Sequence, residues 1–418
     1  MRALARRKRN ARDKGKINVL LFGAVMKRRA VALSLILTLF VVAFCAQIVG
    51  LAATVANAFE VTATITLEKS GGYYGLAYNS AKDAIFITNV DFDEVSVISD
   101  INNTVVANIA VGSRPYGIAY DSGKGELFVA NHGADSVSVI SDNTNTVVAN
   151  IEVESQPSAV AYDSGRGEVF VANYNSSSVS VISDSNNTVI ATIKVGNQPC
   201  ALAYDSGKGE IFVGHAGCNQ VLAISDSTHA VVANVTVGNQ PASLVYDSGK
   251  GEIFVANHNS SSVSIISDST NQIVATVEVG ANPIGLAYDS GNGQIFVANY
   301  NSKSVSVISD STNAVIANIP LESQPQGICY DSGKGVVFVT YSESNRISVI
   351  SDSSDTSPLP TPTGSTTADP TPSPSSSSSA TPSDQQQEPF PITLVLASVI
   401  TVIVIGTGLL LYFKKRKR

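Results

Sequence analysis

The chain is written in short apolar stretches rich in Val, Ile and Phe, interrupted by clusters of Gly, Asn, Asp and Ser. The pattern repeats. Tyr78, Tyr120, Tyr162, Tyr204, Tyr246, Tyr288 and Tyr330 stand 42 residues apart, and Ser-Asp pairs beginning at Ser99, Ser141, Ser183, Ser225, Ser267, Ser309 and Ser351 keep the same step. In the copy opening at Gly117 the alternation predicts four strands, over Gly117 to Tyr120, Glu126 to Ala130, Val137 to Ser141 and Thr146 to Ile151. Between them lie an Asp121-Ser122-Gly123-Lys124-Gly125 turn, a loop from Asn131 to Ser136, and a turn from Asp142 to Asn145. Those residue types supply the positive φ and the side-chain-to-backbone bonds of tight turns. The unit reads as a four-stranded antiparallel meander without helical periodicity.

A period of about 40 to 45 residues per four-stranded unit belongs to propeller blades. Seven copies therefore predict an all-β, seven-bladed β-propeller over residues 59–353. Each first strand carries a small residue (Gly75, Gly117, Ala159, Ala201, Ser243, Gly285, Gly327) before a large one, which predicts tight blade-to-blade packing near the axis. Pro115, Pro157, Pro199, Pro241, Pro283 and Pro325 stand just before six of the first strands, where no ladder donor is lost. The seventh unit lacks a fourth strand, because Thr356-Ser357-Pro358-Leu359-Pro360 occupies its place and cannot pair. Thr62 to Leu67 lies one period before Thr104 to Ile109 and is the spare strand. The N-terminal strand is expected to complete the last blade and close the ring.

Both ends carry membrane signals. Within the basic leader, residues 1–58, Met26-Lys27-Arg28-Arg29 precedes an apolar run from Ala30 to Ala46 and then Ala56-Asn57-Ala58, the order that secretion machinery and signal peptidase read. Cleavage after Ala58 and an uncleaved signal anchor both fit, and Met26 is a candidate start. Residues 354–389 form a Ser/Thr/Pro-rich stalk that cannot bury apolar surface. Residues 390–413 are expected to cross the membrane, since Ile392 to Phe413 holds no charge and spans about 33 Å as a helix against a bilayer core of about 30 Å. The basic tail, 414–418, then stays cytoplasmic and the propeller extracellular, in a single-pass cell-membrane protein.

The formal charge of -7 conceals an acidic body: between residues 30 and 413 there are 11 Lys/Arg against 33 Asp/Glu. Nucleic acid is excluded as a partner, because its phosphates are bound by basic residues. Four Cys with no CxxC pair exclude a zinc module or a dithiol redox centre. The chain contains no Trp.

Phe128-Val129-Ala130-Asn131, Phe170-Val171-Ala172-Asn173, Phe254-Val255-Ala256-Asn257 and Phe296-Val297-Ala298-Asn299 each precede a Ser-Val-Ser-Val/Ile-Ile-Ser-Asp segment. These stretches resemble the YVTN-type β-propeller repeat, a family that includes archaeal surface-layer proteins and related exported propellers. The resemblance implies the propeller fold. Three copies depart from it, at Ile87-Thr88-Asn89, at Val213-Gly214-His215 and at Val339-Thr340-Tyr341. The absence of Trp speaks against quinone-cofactor and WD-type propellers, which resemble this architecture but rely on that residue.

Candidate chemistry is sparse. His132, Tyr174, His258 and Tyr300 occupy one loop position on one face and vary among copies, so they are the binding-face candidates. His132 and His258 sit in units three apart and should lie across the ring from each other, too far to share a metal. His215 replaces the Asn of its neighbours, and His229 sits in a turn of the opposite face. The repeated Asp of each Asp-Ser-Gly turn is expected to cap its own backbone and not to hold calcium. Cys200 and Cys218 fall on the same face, either as a disulfide or as two separate buried thiols, while Cys329 reads as packing. Asn102, Asn175, Asn186, Asn234 and Asn259 head N-glycosylation sequons. No nucleophile motif, metal motif or phosphate loop appears, and no metal or cofactor is expected. The expected function is a membrane-anchored, non-catalytic module for binding, adhesion or envelope structure, with envelope proteins or glycans as partners. The alternative is an exported enzyme of lactonase, lyase or oxidoreductase type that uses the channel mouth.

Overall fold

The computed structural model describes residues 59–352, so the leader, stalk, membrane segment and basic tail lie outside the described residues. Among the described residues no helix is long and apolar enough to cross a membrane. Seven four-stranded antiparallel sheets follow one another around a ring. Blade 1 comprises Tyr73–Asn79, Ala84–Asn89, Glu94–Ser99 and Thr104–Ala110, and blade 2 comprises Pro115–Asp121, Glu126–Asn131, Ser136–Ser141 and Thr146–Glu152. Blades 3 to 6 repeat this plan over 157–194, 199–236, 241–278 and 283–320. Blade 7 has three consecutive strands, Pro325–Asp331, Val336–Tyr341 and Ser344–Ser351, and takes Val61–Gly71 as its outermost. The predicted closure is thus present, with Ala63, Thr64, Ile65 and Thr66 paired to Val349, Ser348, Ile347 and Arg346. The closing strand is longer than the Thr62 to Leu67 stretch expected from the period.

The core lies between blades. Seven hydrophobic clusters each draw on two neighbouring blades, as where Phe128 and Val139 of blade 2 meet Val169 and Ile182 of blade 3. The Phe of every second strand, from Phe86 to Phe338, is at most 1% exposed. Second and third strands are therefore buried on both faces, so their apolar runs are nearly continuous. Fourth strands, on the rim, alternate.

The first strands pack against one another around the axis, blade 7 against blade 1 included. Their small residues are required there: a Cβ on Gly117 would stand 2.8 Å from Ala159 Cα and 2.8 Å from Ser158 O of the next blade. The prolines differ in place from the sequence expectation. Each opens its first strand from within, Pro115 opposite Asn131, because an irregularity in register follows it and no donor is needed at that point. The third strand of blade 7, Ser344–Ser351, is longer than its counterparts, since its preceding loop is cut to a tight turn with Glu343 at φ 57°.

The two faces of the ring differ. One carries the Asp-Ser-Gly turns and the turns joining third to fourth strands, and is called the turn face below. The other, the mouth face, carries the loops joining second to third strands and the links between blades. The paired ends Val61 and Ile350, with Ser351 N donating to Glu60 O at 3.1 Å, put both ends of the described chain on the turn face.

Candidate functional site

On the turn face each seam is tied in the same way. Asp121 Oδ1 accepts from Gly123 N at 2.8 Å and Lys124 N at 3.2 Å, and Asp163, Asp205, Asp247, Asp289 and Asp331 cap their turns likewise. The backbone-capping expectation is met. The tyrosine of the following blade stands over that turn and donates to an aspartate of its own blade, Tyr162 Oη to Asp184 Oδ2 at 3.4 Å and Tyr330 Oη to Asp352 Oδ2 at 3.0 Å. Burial first, and then these carboxylates, push the tyrosine hydroxyls above their usual range, so they stay protonated donors. Lys124, Lys208, Lys250 and Lys334 reach across to a backbone carbonyl of the next blade, Lys208 Nζ to Asp268 O at 2.6 Å. Two blades are joined further by His229 Nε2 and Glu168 Oε2 at 2.8 Å. This face holds the ring together.

The departures from the repeat are also structural. Thr88 Oγ1 donates to Tyr116 O at 2.7 Å and Thr340 Oγ1 to Tyr73 O at 3.0 Å, tying blades 1 and 7 to the inner strands beside them. Tyr341 Oη lies 2.5 Å from Ser348 Oγ within blade 7. His215 is 1% exposed in the place where Asn131 donates to Ser138 Oγ at 2.9 Å, and Leu222 has replaced the corresponding serine. Burial lowers the His215 pKa, so the ring is neutral. Among the described residues no group of three or more His, Cys, Asp or Glu is placed to hold a metal ion.

The mouth face is where the copies differ. A cavity of about 620 Å³ opens at the axis. Its collar is formed by the residue after each strand-opening position, one per blade: Tyr74, Tyr116, Ser158, Cys200, Ala242, Ile284 and Gln326. Above the collar stand His132 and Tyr174, held by backbone bonds from His132 N to Arg114 O and Tyr174 N to Gln156 O, both 2.9 Å. The acceptors Arg114 and Gln156 adopt φ of 51° and 56°, which turns the inter-blade link back toward the loop.

The rings form an arc on one side of the mouth. Tyr74 and Tyr116 have centroids 4.7 Å apart, Tyr116 and His132 4.6 Å, and His132 and Tyr174 6.4 Å in an edge contact. Burial lowers the His132 pKa, while Nδ1 lies 3.3 Å from Pro157 O. Burial, then Tyr116 and Tyr300, raise the Tyr74 hydroxyl. The cavity wall holds no Asp, Glu, Lys or Arg, so its polar groups are hydroxyls, amides and a neutral imidazole.

Of the four loop candidates, the structure brings His132 and Tyr174 together in the wall. His258 and Tyr300 share the face without lining the cavity; His258 lies in a short 3₁₀ turn with Nδ1 3.1 Å from Asn259 Oδ1. The collar residues were hidden in the sequence inside a strand that reads as packing, although their variation in an otherwise constant repeat marks them.

Cys200 and Cys218 are free thiols, which corrects the disulfide alternative. Cys200 Sγ turns to the neighbouring blade, 3.2 Å from Pro241 O, and Cys218 Sγ lies 3.7 Å from Gln220 Oε1. Burial pushes the Cys200 thiol up to about 12, so it is a protonated wall group and a poor nucleophile at neutral pH. Cys329 is buried as packing. The sequon residues Asn102, Asn175, Asn186, Asn234 and Asn259 are all exposed.

No curated protein sequence matches the chain. Among solved structures, a hydrazine synthase chain of Kuenenia stuttgartiensis superposes with a TM-score of 0.61 at 16% identity, over 69% of this chain and 98% of that one. A likeness at that identity shows the fold alone. The model of the YNCE-like beta-propeller family matches residues 43–357, and the chain belongs to that family.

Proposed function

We propose that the chain is a membrane-anchored, extracellular binding propeller that uses the channel mouth to engage envelope glycans or proteins without chemical turnover. The observation that carries this reading is the collar, where seven equivalent positions hold seven largely different, uncharged side chains around one cavity. A uniform ring built only for scaffolding has no reason to vary there. A wall lacking a carboxylate or an ammonium offers contact area and neutral hydrogen bonds, which suit recognition. The described chain ends at Asp352 on the turn face, opposite the mouth. The acidic, buried ties of the turn face support a structural role for that side.

The test uses intact cells displaying the full chain. Added protease should remove the propeller from outside, and isolated envelope material should bind cells carrying the wild type but not those carrying Tyr116→Ala at equal surface amount. Envelope binding that ignores Tyr116→Ala, or catalytic conversion of an envelope component dependent on His132, would replace this reading with the enzyme alternative or a different face.

A further inference from the structure

The chemistry of the mouth narrows what can occupy it. Along one side, the Tyr116 ring packs against Tyr74 and His132 with centroids 4.7 and 4.6 Å away and planes tilted by 35° and 34°. Across the ring the equivalent positions hold Cys200, Ala242 and Ile284, with the smallest side chain at Ala242. Ser158, Gln240 and Gln326 add neutral donors and acceptors to the same wall. An apolar ring face beside neutral hydrogen-bonding groups matches a ligand that is itself a ring with one C–H face and a girdle of hydroxyls.

We propose that the mouth seats a single neutral sugar unit at the end of a glycan, an inference that rests on the binding-module reading above. Other ring-shaped or cationic ligands fit less well. A quaternary ammonium suits tyrosine-lined sites, but Arg114, with Nη2 3.4 Å from Tyr116 Oη, sets a positive charge beside the arc. Nucleobases stack on aromatics too, but although Arg114 alone would attract their phosphates or the carboxylates of uronic acids, the approach is opposed by a body with 33 acidic and 11 basic residues between positions 30 and 413. A neutral saccharide is penalised by neither.

The full-length protein in detergent is titrated with neutral hexose and N-acetylhexosamine oligosaccharides, a uronate oligosaccharide, tetramethylammonium and a short single-stranded DNA. Tyrosine emission is the readout, since the chain has 14 Tyr and no Trp to mask it. A neutral oligosaccharide is expected to give a saturable change that the other probes do not. Tyr116→Ala should weaken binding about tenfold or more. Ala242→Phe, which keeps the rings and fills the space, should abolish it, so the inference does not depend on one variant folding. Silence of the neutral probes at millimolar concentration, a stronger response to any other probe, or binding that survives Ala242→Phe overturns the sugar assignment. Envelope proteins captured through the mouth in that event would leave the binding-module reading standing; loss of all envelope binding would remove both.

Discussion

At six of the seven seams an aspartate from the Asp-Ser-Gly turn faces an aspartate from the next blade, and the pairs repel when both are ionised. At the seam of blades 7 and 1 the pair is Asp331 and Asp100. Burial first, then the hydrogen bond and charge of Asp331, push Asp100 up to about 6, with Lys334 pulling it down. Burial and the matching aspartate likewise raise Asp226, Asp268 and Asp310. A carboxyl whose folded pKa exceeds its unfolded value binds more protons when folded, so its stabilisation is complete below the unfolded value and is lost as pH rises through the folded one. Thermal midpoints of the full-length protein should therefore fall between about pH 4 and pH 7. The seam of blades 1 and 2 shows the remedy: Asn79 keeps the cap, accepting from Ala81 N at 3.0 Å, while its Nδ2 donates to Asp142 Oδ2 at 2.9 Å. Asp331→Asn should reproduce this, flattening part of the pH slope and raising stability at pH 7 by about 1 kcal/mol. Melting at pH 4.5 and 7 checks it; an unchanged slope would mean the pair does not share a proton. The buried His132 and His215 act with the opposite sign, since a lowered base pKa loses stability as pH falls below the ordinary histidine value.

Among the elements, the first strand bears two constraints at once, close approach to its neighbours and exposure to the channel. Gly117→Ala should cost about 1 to 3 kcal/mol, because the added methyl meets backbone of blade 3 that cannot yield as a side-chain tip would. Denaturant unfolding measures it, and a loss within about 0.5 kcal/mol would show that the inner strands can spread apart. The fourth strands have a different device. In blade 2 Val139 pairs with Ala149 and Ile140 with Val147, so Val148 is the extra residue of a bulge and stands 52% exposed. Blades 1 and 3 to 6 repeat the bulge with Val106, Ile190, Val232, Val274 and Ile316. A bulge bends an unpaired edge away from flat pairing with another chain. The strands, turns and closing order were legible in the sequence because spacing and turn chemistry repeat with them. The bulges and the collar were not: an extra Val in a run of Val and Ile leaves no periodic trace, and whether the residue after a strand-opening proline faces a channel or a neighbour depends on the ring's curvature. His132 and Tyr174 were legible as loop variation, but the contact of His132 with Tyr116 and Tyr174 comes from the packing of neighbouring blades.

For the whole molecule, closure is a single non-covalent joint between the first and last described segments, and it decides whether seven weakly distinct blades behave as one unit. Ile65 and Leu67 of the closing strand are 5% and 3% exposed, and they pack with Phe338 and Ile347 of blade 7 and Ile85 of blade 1. Phe59, just before the strand, lies edge-on to Phe296 of blade 6 with centroids 5.9 Å apart, so the segment spans three blades. A charge placed at Ile65 would have no buried partner on that side, and the seam would have to open to hydrate it. Ile65→Asp should therefore cost about 3 kcal/mol or more. The loss should be local before it is global. Hydrogen exchange should quicken first in Ser344–Ser351 and in the first strands Pro325–Asp331 and Tyr73–Asn79, while blades 3 to 5 retain wild-type protection. Because Tyr74 sits at that seam, the mouth arc should loosen with it, and Ile65→Asp should weaken ligand binding without touching the cavity. Uniform acceleration of exchange across all blades would instead mean that the ring unfolds as one cooperative unit, with the closing strand no weaker than any other.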